Sequence, residues 1–320
     1  MSLDHLLTAG AHFAPEYDGG LSNHLPMALV ALHSLGADAA RLAAFAAAYA
    51  PRLEPAPAAQ AWPAGDAWAA RFGDPTSWPA YRSLFGDWIE AEGAADVLSQ
   101  ALPMLMPGCG AAAFHGAIRV ASAVRAGHRG ELADALAYWA CRHLPLGGLP
   151  EAPGRVLDPQ ALLRRLHAGR SRKRLIFERM QAAARSPALR AEVARLAIDA
   201  RTLERLARLS ARAYAGSGNF TALHLLTACH AMRVLQGFID DRSTALRWFW
   251  QAWASAVVAA GLKRLPPAPL RAWDRIVPVA LASDDEHRIK LVDSCRAEEQ
   301  AWGGDDWRRA ASRATSGVVA

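Results

Sequence analysis

Lysine is nearly absent from this chain. There are three in 320 residues, Lys173, Lys263 and Lys290, among 36 lysines and arginines. Where almost every cation is arginine, each remaining lysine needs a reason. Cysteine is also scarce. Cys109, Cys141, Cys229 and Cys295 form no Cys-x-x-Cys pair. That excludes a zinc ribbon or a disulfide framework and fits thiols in a reducing cytoplasm. β-branched residues are few, and no alternating strand pattern with a hairpin turn occurs, which excludes an all-β fold. The first twenty residues have no basic region followed by an apolar stretch, so a cytoplasmic protein with no secretory leader is expected. No P-loop, Gly-x-Ser-x-Gly or His-Glu-x-x-His motif is present. Between Val97 and Val124 the only formal charge is Arg119, a length that would suit a membrane span. Pro103, Pro107, Gly108 and Gly110 interrupt it, and Gln100 and His115 lie inside. A buried central helix preceded by a turn is expected there, not a membrane segment.

What the chain does have is alanine, 72 residues of it, and a hydrophobic fraction of 52%. Alanine costs least in a helix interior, and this apolar content can fill a sizeable core. The expected fold class is mainly α: one compact domain over residues 1–320, with ten or more helices. Linker-like loops are expected near 51–65, 145–154 and 264–269. Helices are predicted from Leu21 (capped by Ser22) to Leu35, stopped by Gly36, and from Ala39 to Ala50. Others run from Cys109 to Ala126, from Leu132 to His143, and from Asn219 as cap to Leu235. The last strong one is capped by Ser283, with Glu286 completing a capping box.

Net charge is +6 but uneven. From Arg155 to Arg212 there are 15 basic against 5 acidic residues. Apolar residues at helical spacing, Leu189, Val193, Leu196, Leu203, Leu206 and Leu209, run through this segment. Phe177 is its only aromatic residue. Without aromatic interleaving for base stacking, a solvated helical face is expected and no nucleic-acid partner. A non-catalytic scaffold that binds nucleic acid or an acidic partner through this segment is the alternative from another functional class.

GCGAAA at Gly108–Ala113 formally matches Gly-x-Gly-x-x-Ala, a dinucleotide fingerprint. The preceding LPMLMP is a poor strand, and no alternating strand–helix pattern follows, so no tightly bound flavin or NAD is expected. The histidines carry more. His24, His115, His224, His230 and His287 sit in apolar helical segments, and several such histidines can build one site from facing helices. His33 is nine residues from His24, half a turn away, and faces elsewhere. His224 and His230 lie six apart with Thr227 between them. One can be a ligand and the other a supporting or substrate contact. His287 and Lys290 share a helix face. Lys290 lies among Ile289, Leu291 and Val292, where burial would lower its pKa. Asn23, Arg119, Thr227 and His230 are the candidate catalytic residues.

Four segments resemble the questin oxidase-like family: YDGGLSNHLPMALVALHSLGA from Tyr17, LPMLMPGCGAAAFHGAIRVASAV from Leu102, FTALHLLTACHAMRVL from Phe220 and SDDEHRIKLVDSCRAEE from Ser283. They run in order over nearly the whole chain. The resemblance implies a helical oxidoreductase that uses dioxygen on an aromatic polyketide-like or other small secondary metabolite. Fungal relatives act on anthraquinones by Baeyer–Villiger insertion or ring cleavage. Some relatives need no organic cofactor, and others hold non-haem iron with four histidines and a carboxylated lysine. Carried over, His24, His115, His224 and His287 match the histidines and Lys290 the lysine, around Fe(II). His224 fits the recurring His-x-x-Thr piece better than His230. A cofactor-free route, with a histidine as base, is the alternative within the family.

Overall fold

Sixteen α-helices form among the described residues. The computed structural model describes residues 1–320 except 153, 165–172, 262–264, 267–268 and 318–320. The only sheet among them is a short antiparallel ribbon, Glu16–Tyr17 against Leu21–Ser22. Asp18, Gly19 and Gly20 turn it, all at positive φ. None of these helices is long and apolar enough to cross a membrane.

The helix His115–Ala126 is central. It packs against Arg129–Cys141, Phe220–Leu235 and Leu25–Leu35. Glu286–Trp302 lies on Leu25–Leu35 and Phe220–Leu235, with Asp306–Ala314 behind it. The buried apolar residues form one cluster that includes Trp78, Trp139, Trp250, Trp253 and Trp307. Close approach is built in at Gly116, where a Cβ would lie 2.7 Å from Cγ of Trp139. The glycines of GCGAAA also serve packing: a Cβ on Gly108 would meet His143 at 2.4 Å.

Several helix ends differ from the sequence reading. The helix expected from Leu21 starts at Leu25, because Leu21–Ser22 pairs as strand and Ser22 bonds the hydroxyl of Tyr138 at 2.7 Å. Asn23, one residue before the N-cap His24, has its Oδ1 accepting from the Leu25 N–H at 3.0 Å. The helix expected from Leu132 begins at Arg129, and Nδ1 of His128 accepts from the Glu131 N–H. Ser283 is not the cap of the last long helix. Asp285 accepts from the N–H groups of His287 and Arg288, so Glu286 becomes the first helical residue. Asn219 does cap Phe220–Leu235, as expected, through the N–H groups of Thr221 and Ala222.

The helix expected from Cys109 to Ala126 is broken. Ala112, Ala113 and Phe114 take positive φ of 46°, 57° and 71°. Each non-glycine residue in that region costs roughly 1–2 kcal/mol, and the regular helix restarts at His115. The basic segment folds as Pro159–Leu163, Ile176–Ala184, Pro187–Val193 and Thr202–Ser217. Leu189, Val193, Leu196, Leu203 and Leu206 are buried. Residues 165–172 of that segment, residue 153 of the loop expected near 145–154, and residues 264, 267 and 268 of the loop expected near 264–269 lie outside the described residues.

Candidate functional site

His24, His115, His224 and His287 come from four elements and close into a ring. Centroid separations are 4.6 Å from His24 to His115, 4.9 Å to His224, 5.6 Å to His287, and 4.5 Å back to His24. The rings of His24, His115 and His224 are almost entirely excluded from solvent. His33 is exposed, on the other side of its helix.

Two of the imidazoles are oriented by a hydrogen bond at Nδ1, and the other two turn Nδ1 toward one carboxylate. In His115 this atom donates to the carbonyl of Ala112 at 2.5 Å, a carbonyl that the strained turn delivers. In His224 it donates to the carbonyl of Phe220, four residues back, at 2.7 Å. Nδ1 of His24 and Nδ1 of His287 each lie 3.5 Å from Oε1 of Glu286. Arg52 holds the other oxygen of Glu286 at 3.4 Å and donates to the Tyr17 hydroxyl at 2.8 Å. Candidate donor atoms of His24, Glu286 and His287 lie within 4.8 Å of one another.

These contacts cannot all be satisfied by neutral rings alone. Nε2 of His24 and Nε2 of His115 are 2.7 Å apart. His115 uses its proton at Nδ1, so His24 must donate through Nε2. That strips Nδ1 of His24, a buried atom left without a partner, and turns its lone pair toward a carboxylate oxygen. Nε2 of His287 is buried and unpartnered as well. A cation shared by the Nε2 atoms removes the conflict, because His24 can then carry its proton on Nδ1 toward Glu286. Metal-bound imidazoles have this arrangement, with the second nitrogen donating to a carbonyl or carboxylate.

The electrostatics agree. Burial pushes His24, His115 and His287 well below the usual histidine range and His224 down to about 3. The positive charge of Lys290 adds to each of these shifts. Neutral imidazole is the ligating form. Lys290 is itself buried, which lowers its amine to about 8. The site therefore fits a divalent transition metal held by imidazoles.

The ring of histidines forms the floor of a cavity of about 310 Å³. Ala112, Ala113, Leu175, Ile176, Phe177 and Phe220 give it apolar walls, and Arg52, Arg174 and Arg179 also line it. Phe220 is half exposed and stands 4.6 Å, centroid to centroid, from both His224 and His287.

The four candidate catalytic residues lie off this cavity. Asn23 accepts from the Leu25 N–H at the start of the helix and donates to the carbonyl of Ala14. Thr227 donates back to the carbonyls of Leu223 and His224. Arg119 makes a two-pronged ion pair with Glu131, at 2.6 and 2.9 Å. His230 donates through Nδ1 to Glu298 at 2.6 Å, and Arg233 shares that carboxylate. With Lys290, Ser122 and Thr227, His230 lines a separate cavity of about 20 Å³, room for about one water.

Sequence reasoning missed Glu286, Arg52, Arg174, Arg179 and Phe220. In the sequence Glu286 reads as part of a capping box, although a carboxylate beside a candidate ligand histidine is itself a signal. Arg174 and Arg179 read as members of a basic face.

A sequence-family model described as questin oxidase-like matches residues 21–295. No curated protein matches the chain.

Proposed function

The chain belongs to the questin oxidase-like family, and from that premise we propose that it is a dioxygen-dependent oxygenase of small aromatic metabolites with an iron centre. The observation that carries this reading is the closed ring of four neutral histidines on the cavity floor, whose proton count is resolved by a shared cation. His24, His115, His224 and His287 would hold the metal. A ferrous ion bound there supplies the one-electron chemistry that triplet dioxygen requires.

The chain's own residues do the rest. Glu286 fixes the rings of His24 and His287 and is itself held by Arg52. The carbonyls of Ala112 and Phe220 fix the other two rings. Apolar walls and Phe220 receive a planar ring and keep water from it. Lys290, with its amine lowered to about 8, has a neutral fraction near neutral pH. That fraction can add to carbon dioxide, forming an N–C bond and releasing one proton, to become the carboxylate that completes the ligand set. The reaction is an oxidative ring cleavage or an oxygen insertion beside a carbonyl. Cleavage places both oxygen atoms in product. Insertion of one leaves the other to be reduced to water with two protons and two electrons from an added reductant such as a reduced nicotinamide.

The cofactor-free route is the weaker reading. A general base works best with a pKa near the working pH, and burial takes these four histidines far below it. The experiment is oxygen uptake by iron-loaded protein with a panel of hydroxylated naphthoquinones and anthraquinones. Uptake that depends on both iron and the aromatic is expected. Equal turnover by metal-stripped protein would contradict the reading.

A further inference from the structure

The cavity has two chemically different ends. The histidines are at the closed end. Arg174 and Arg179 line the cavity nearer solvent, Arg174 exposed and Arg179 half-buried. Among the described residues, other arginines of the basic segment lack an acidic partner too, Arg190 bonding only the carbonyls of Ala184 and Arg185, but Arg174 and Arg179 do so on the wall of this cavity. Arg195, Arg201, Arg205, Arg208 and Arg212, from the same basic segment, each meet a carboxylate. Among the described residues Arg174 and Arg179 meet none. Arg174 reaches only the carbonyls of Asp18 and Gly19, at 3.3 and 3.4 Å. Nε of Arg179 is buried with no hydrogen-bond partner. The one carboxylate on the cavity wall, Glu286, is already held by Arg52 and faces two histidines.

A buried guanidinium nitrogen without a partner, as in Arg179, is costly unless a ligand supplies an acceptor, and Arg174 adds a second positive charge to the same cavity wall. We propose that the substrate is an aromatic carboxylate, its acid group received by Arg174 and Arg179 and its hydroxylated ring laid between Phe177 and Phe220 toward the histidines. This deepens the oxygenase reading and rests on it. Two features of the cavity point the same way: the walls are apolar and aromatic, and among the described residues the only charge along them without a counter-charge is positive. A neutral aromatic would fill the slot and leave both guanidiniums without an anion.

The test is binding of 6-hydroxy-2-naphthoate against its methyl ester, followed by ligand fluorescence with iron-loaded protein in the absence of dioxygen. The two probes share the ring and the phenol and differ by one charge. The acid should bind about 10–100-fold more tightly, the range expected for hydrogen bonds to a charged group, and should weaken as salt is raised. In the Arg174→Gln/Arg179→Gln double variant the acid should fall to the level of the ester. Ester affinity should stay within about twofold, which reports an intact slot. Equal binding of acid and ester by the unaltered protein, binding of neither, or an acid preference that survives the double substitution would overturn the proposal. No turnover is involved, so the two readings fail separately. Charge preference without oxygen uptake would sink the oxygenase alone, and uptake without charge preference would sink the anionic substrate alone.

Discussion

The helix His115–Ala126 carries two buried polar side chains one turn apart, and they meet opposite fates. Arg119 has its counter-charge supplied by the chain. Glu131 grips it with both oxygens, and Asp134 lies 3.9 Å away. His115 has a carbonyl for one nitrogen and, for the other, a second histidine that cannot satisfy it without stripping its own proton. One region has its charge met by the chain, although Nη1 of Arg119 is left without a hydrogen bond, and it lies off the cavity. The other has neutral rings with unmatched nitrogens and forms the cavity floor. Burial, or an unpartnered nitrogen, therefore does not by itself mark function here. What separates the two regions is whether the fold supplies the counter-charge or leaves several donor atoms converging on a cavity.

The contrast breaks most readily on its charge-compensated side. Arg119→Met removes the cation and leaves Glu131 buried and unpaired. A loss of about 3–5 kcal/mol is expected in urea unfolding, with iron per folded chain unchanged. A variant of ordinary stability that has lost iron would move Arg119 into the site.

The under-satisfied side should announce itself in acid. In metal-free protein the four histidines stay neutral in the fold but take up protons on unfolding below pH 6.5. The unfolded state then binds more protons, so stability falls as pH drops from about 6.5 toward 4. The slope is about 1.4 kcal/mol per pH unit for each histidine involved. His143, pushed down to about 4 by burial, adds one more. Replacing two of the four by glutamine should flatten the urea midpoint against pH, and an unchanged profile would mean that the four are not held neutral.

Glu286 sharpens the comparison because it touches two of the histidines without belonging to the ring. Glu286→Gln should weaken iron binding about 10–100-fold in competition with a chelator. No change would leave it a helix-end residue.

The smallest effect concerns the turn that aims His115. Ala113→Gly relieves a positive φ of 57° and should raise stability by about 0.5–1 kcal/mol in thermal unfolding. A loss would mean that the alanine methyl group matters more to the cavity wall than the strain does.

These same residues show how far the sequence could be read. Helix class and the four histidines were legible, because alanine content, apolar spacing and family motifs are local signals. The break at Ala112–Phe114 was not. AAAF favours helix by propensity, and packing around the site overrides it. Glu131 lies twelve positions from Arg119 on the next helix, and Arg52 lies far from Glu286 in sequence, so nothing local announces either pair. Arg174 and Arg179 look like their neighbours in a basic stretch. Only the cavity distinguishes them.

The most direct test of the central claim is iron per chain, measured by elemental analysis on protein produced with supplemented iron. The unaltered protein, His33→Ala and His115→Ala would be compared side by side. About one iron per chain is expected in the first two, and close to none in His115→Ala, with all three folded by circular dichroism. An unaltered protein that holds no metal, or a His115→Ala variant that keeps it, would contradict the account.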